Sequence, residues 1–149
     1  MAIILDLQNE SAATSVPAAE QVRQWLKAAL QADYARLEQT IRVVDEPESC
    51  ALNRQFRDRD SATNVLAFPA DSDLLDYDCL GDLVICAPLV AAEAKAQGKT
   101  EDAHWAHLVI HGMLHLQGYD HQTATQAARM EALEVEILDT LGYTNPYNE

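Results

Sequence analysis

Residues 100–121 read TEDAHWAHLVIHGMLHLQGYDH. Thr100 is a helix-capping residue and Gly118 a stop signal. Between them Leu108, Val109, Ile110, Met113, Leu114 and Leu116 leave little of the circumference polar. The pattern predicts a central, buried helix around which the rest of the chain packs. His111 and His115 lie four residues apart on it, so their side chains leave one face about 40° apart. Gly118 breaks the helix and lets the chain turn, and Tyr119 and Asp120 bring His121 back toward that face. Three imidazoles with a fourth position open, occupied by water, form the ligand set of one catalytic zinc ion; a structural zinc is closed by four protein ligands. A divalent ion also gives buried histidines a reason to stay neutral.

The residue after His111 is Gly112, where zinc proteases of the H-E-x-x-H type carry their glutamate base. An ion at the site still acidifies a bound water and polarises a carbonyl or phosphoryl oxygen without that carboxylate. His107, one turn before His111, is a candidate to orient a ligand or line the cleft, and His104 reads as a packing or exposed histidine. Asp120 reads either as a partner of an imidazole or a water, or as a turn-former.

Working outward, 3–8 (IILDLQ) and 39–45 (QTIRVVD) read as strands. Pro17 sits near the first turn of an amphipathic helix running to about Tyr34, where its missing N–H is tolerated. A second helix runs from Pro47 to about Phe56. Residues 63–68 and 80–86 are further strands, bounded by Pro69 and Pro88 and joined by the acidic loop ADSDLLDYD in a close antiparallel return. Pro88 to Gln97 is an alanine-rich helix stopped by Gly98. The last helix is opened by Thr123 or Thr125 and ends at Gly142. The order βαβαββααα predicts a single α+β domain over 1–149, with a mixed four-stranded sheet and about five helices.

A chain of 149 residues with 48% apolar and 23% charged residues is an ordinary globular one. The opening MAIILDLQNE has a short apolar run, no basic residue before it and an acid inside it, so neither a signal peptide nor a membrane span is expected, and a cytoplasmic location is. Three cysteines, Cys50, Cys79 and Cys86, form no C-x-x-C pair and read as small buried hydrophobes. The net charge is −14, which counts against holding nucleic acid mainly by neutralising its phosphates. Residues 1–60 hold seven of the ten Lys and Arg against ten acids, so basic character is confined to that part.

Arg54, Arg57 and Arg59 fall where the second helix ends, in LNRQFRDRDSATNVLAFP (52–69). Basic residues there complement the macrodipole and the last carbonyls, and a guanidinium fork also suits phosphate oxygens. This stretch, with LGDLVIC, AHWAHLVI, HGMLHLQGYDH and MEALEVEILDTLGY in that order, resembles the YbeY family of bacterial metal-dependent endoribonucleases over residues 40–145. The family often reads TDVLSFP where this chain has Thr63, Asn64, Val65, Leu66, Ala67, Phe68 and Pro69, so a carboxylate and a hydroxyl are missing at Asn64 and Ala67.

The resemblance implies a small α+β fold, a zinc ion on His111, His115 and His121, and Arg57 in the same cleft, with Arg57 and His115 as the catalytic residues. It implies a hydrolase that prefers single-stranded RNA, matures the 3′ end of small-subunit ribosomal RNA and serves ribosome quality control. The implied partners are ribosomal RNA, the small ribosomal subunit with one of its proteins, and a Ras-like assembly GTPase. Two rivals share the ligand set: a zinc metalloprotease, opposed by Gly112, and a non-catalytic ribosome assembly factor in which zinc only staples the helix to the following turn.

Overall fold

A computed structural model describes residues 2–13, 15–70 and 78–147. In chain order the elements are β1 (Ala2–Asn9), α1 (Ala19–Ala29), β2 (Arg36–Val44), α2 (Glu46–Arg57), β3 (Val65–Pro69), β4 (Asp78–Cys86), α3 (Ala87–Gln97), α4 (Glu101–Leu116) and α5 (Ala124–Thr140). The predicted order and the α+β class hold. The sheet runs β1-β2-β4-β3. β1 and β4 both lie parallel to β2, and β3 is an antiparallel edge on β4, paired from Val65 with Ile85 to Pro69 with Gly81. The expected antiparallel return is therefore present, although 71–77 of the acidic loop lie outside the described residues.

Alternation along the strands separates two apolar layers. Leu37, Ile41 and Val43 of β2 and Leu83 and Ile85 of β4 face the main core, with α1, α3, α4 and α5 over them. Val44, Leu66 and Val84 face the other side, where Leu52 of α2 and Phe68 cover them. Helix α4 packs against α1, α3, α5, β3 and β4. Ten of its residues are buried, among them Ile110, Met113 and Leu114 with no exposed surface. Each such aliphatic side chain contributes about 1.5–3 kcal/mol by leaving water. Among the described residues no helix is long and apolar enough to cross a membrane.

Several boundaries differ from expectation for tertiary reasons. α1 stops at Ala29, well short of Tyr34, because the Gln117 side chain beyond α4 takes its place: Gln117 Nε2 donates to Ala29 O at 2.9 Å and Gln117 Oε1 accepts from Gln31 N at 2.8 Å. β3 begins at Val65 instead of Thr63, because the Ser49 hydroxyl binds both the N–H and the C=O of Thr63. β2 starts earlier, at Arg36, where β1 pairs with it from Ala2. Thr123, not Thr125, caps α5 through a reciprocal box with Gln126. The cysteines are free, but only Cys86 is buried; Cys50 and Cys79 are half-buried.

Candidate metal centre

The three predicted ligands meet. α4 carries His111 and His115 on one face, and the helix ends in a Schellman turn: Tyr119 N–H donates to Leu114 O at 3.1 Å and Gly118 N–H to His115 O at 3.0 Å, with Gly118 at φ +100°. Glycine adopts that backbone at no steric cost. Asp120 then accepts the His121 N–H at 2.8 Å, which fixes the turn; of its two readings the turn-former is the one the hydrogen bonding shows. One potential ligand atom from each of the three histidines lies within 4.8 Å of the other two. Nitrogens around a zinc ion sit roughly 3.3 Å apart, so small ring rotations let one ion reach all three. The donor set of three imidazoles and the open side left by exposed His121 fit a divalent ion with a free coordination position.

The electrostatics suit that task. Burial holds the His115 imidazole below its ordinary range, and the positive fields of His111, His121 and Arg57 add to this against Asp120. A neutral imidazole is the form that binds metal.

The triad opens into a cleft of about 440 Å³ that is also lined by the end of α2 and the segment leading into β3. Arg57 is the last residue of α2, and Asp58 at φ 55° turns the chain in the left-handed region. Asn53 Nδ2 then ties the loop back by donating to Ser61 O at 2.8 Å. Arg57 and Arg59 both line the cleft, whereas Arg54 does not. Among the described residues neither cleft arginine pairs with a carboxylate. Arg59, which lies with Arg54 at the end of the same helix in sequence, thus lines the cleft together with Arg57.

Gly112 faces the sheet, and a Cβ there would lie 2.7 Å from Leu83 Cδ2. Leu83 has no exposed surface. The position that holds the base in zinc proteases is closed by packing against β4.

Asn64 Nδ2 and His104 Nε2 share Glu93 Oε1 at 3.0 and 2.8 Å. An aspartate at 64 would set a second carboxylate beside Glu93, while the amide donates to it. His104 is the packing histidine expected, and Ala67 is a half-buried part of the cleft wall.

The sequence reading missed Glu134. Its carboxylate is fully buried and receives three groups: His107 Nε2 at 2.6 Å and the Tyr147 hydroxyl at 2.9 Å on Oε1, and His111 Nδ1 at 3.3 Å from Oε2. Burial alone would push this carboxyl up, but the hydrogen bonds it accepts from His107 and His111 outweigh that and hold it below the ordinary carboxylate range. Burial and the neighbouring carboxylate push the Tyr147 phenol upward, so it stays protonated and donates. A signal was present, because Glu134 sits on the stripe of Met130, Ile137 and Leu138, where α5 otherwise puts apolar residues inward.

The family model described as endoribonuclease YbeY matches residues 5–142. The chain belongs to the YbeY family. The match extends the resemblance seen over 40–145 to β1 and α1. An endoribonuclease YbeY of Stutzerimonas stutzeri is 54% identical over 149 residues, 99% of this chain and 92% of that protein. Those of Pseudomonas putida and Cellvibrio japonicus are 56% and 48% identical, covering 96% and 97% of this chain and 92% and 83% of theirs. The chain also shares its fold with TM1509 of Thermotoga maritima, whose solution structure superposes with a TM-score of 0.56 at 22% identity, over 98% of this chain and 100% of that one.

Proposed function

We propose that residues 1–149 act as one zinc-dependent endoribonuclease domain that prefers single-stranded RNA. It works in the cytoplasm on ribosomal RNA, at the 3′ end of the small-subunit RNA, and in ribosome quality control. The observation that carries this reading is one cleft that holds three imidazoles together with Arg57 and Arg59, neither of which pairs with a carboxylate among the described residues, in a chain of the YbeY family. A divalent ion bound there supplies Lewis acidity toward a phosphoryl oxygen and lowers the pKa of a coordinated water.

The chain's own residues do the rest. His111, His115 and His121 hold the ion as neutral ligands. Arg57, in the same cleft, binds the non-bridging phosphate oxygens and stabilises their charge as it grows, with Arg59 beside it to seat the strand. The RNA carries its own 2′-hydroxyl as an internal nucleophile, so a carboxylate at position 112 is less necessary than in amide hydrolysis. A protease role is disfavoured by the packing of Gly112 on Leu83.

The acidity of the chain fits delivery of substrate by partners: the small ribosomal subunit, one of its proteins, and a Ras-like assembly GTPase. The test is cleavage of a structured ribosomal RNA fragment by wild type and His115→Ala protein purified in parallel, with metal content measured on both. Joint loss of metal and cleavage, with the fold intact by circular dichroism, is expected. Equal cleavage by both proteins would assign the activity to a contaminant and leave the non-catalytic assembly factor as the better reading.

A further inference from the structure

The three ligands differ in what holds them. His121 is exposed and His115 projects from a half-buried position, whereas His111 is backed by a carboxylate with no exposed surface. We propose that Glu134 is a positioning residue for the metal site: it holds His111 as the Nδ1–H tautomer and leaves the Nε2 lone pair for the ion. The inference rests on the metal-site reading given above.

A carboxylate only accepts hydrogen bonds. Each ring nitrogen facing Glu134 must therefore carry a proton, which makes His111 the Nδ1–H form and His107 the Nε2–H form. His107 fits this assignment, because its buried Nδ1 has no hydrogen-bond partner and as a lone pair carries no unmet donor. An isolated ionised acid on the apolar stripe of α5 would be strongly unfavourable, and an apolar residue would fill the same space. The cost is offset here by three donors on two oxygens. Two of them come from outside α5 and α4's ligand pair: Tyr147 follows α5, and His107 lies one turn before His111. They saturate Oε1 and leave Oε2 to His111. The arrangement is the carboxylate–histidine–metal relay seen at zinc sites generally.

The test begins on metal-free, ¹⁵N-histidine-labelled wild type. His111 should show a protonated Nδ1 and an unprotonated Nε2, and finding it as the Nε2–H tautomer would overturn the proposal with no variant needed. Glu134→Gln can offer either an oxygen or an NH₂, so it should mix the His111 tautomers and weaken zinc affinity, read by competition with a chromophoric chelator, by about 10–100-fold. Folded Glu134→Gln with unchanged tautomer and zinc affinity would reduce Glu134 to a packing role. The metal-site reading fails separately, if His115→Ala keeps its zinc.

Discussion

Gly112→Ala is a one-carbon change whose sign depends on a single neighbour. In wild type the new Cβ would lie 2.7 Å from Leu83 Cδ2 and 3.2 Å from Cδ1. Leu83 is fully buried and has little room to swing aside. Overpacking of this kind costs about 1–3 kcal/mol, against about 1 kcal/mol gained from the better helix former, so a net loss of up to about 2 kcal/mol is expected. Leu83→Ala removes the colliding atoms. In that already destabilised background Gly112→Ala should stabilise by about 1 kcal/mol. Urea denaturation of the four proteins, each metal-free, measures both steps at constant m. The coupling between the sites should be about 1–3 kcal/mol, visible in melting as roughly 2–4 °C per kcal/mol for a chain of this size. The same effect in both backgrounds would refute the claim that β4 closes position 112.

Arg57→Ala should lower RNA cleavage by about 10²-fold, the usual cost of a lost charge-stabilising donor, while zinc content stays at the wild-type level; Arg57→Lys should recover only part, since an ammonium lacks the fork. His104 gives a pH signature. Burial holds its imidazole below the ordinary 6.5, although Glu93 pulls the other way. The unfolded chain therefore binds more protons just below pH 6.5, and the sign follows: stability is present above that value and is lost as pH falls through the lowered one. Thermal melts of metal-free protein from pH 7.5 to 5.5 should show this decline, with a shallower slope for His104→Gln.

What was legible in the sequence was local. The cap at Thr100, the stop at Gly118 and the 111–115–121 spacing are read within one turn or two, and they locate α4 and its ligands without knowledge of any partner. What escaped was decided by residues far apart. Nothing near Leu30 announces that Gln117 will end α1, and nothing near Thr63 shows that Ser49 will hold it off the sheet. Gly112 and Glu134 stood between: a glycine within a helix and an acid on an apolar stripe both signal a close neighbour, but only the fold names Leu83 and His111. Arg59 could not be separated from Arg54 because the turn at Asp58 decides which guanidinium faces the cleft.

The cleft also imposes an order on folding. The three imidazoles span eleven residues and come together as soon as α4 and its turn form, a low-contact-order event. The cleft arginines lie some fifty residues earlier, while Glu134 and Tyr147 lie on the other side in sequence, so they arrive only with collapse of the whole domain. Helix α4 with its turn alone would gather the three imidazoles without the arginines. Among the described residues Tyr147 is the last in the chain to line the cleft, so the pocket is complete only when the segment after α5 has packed against α4.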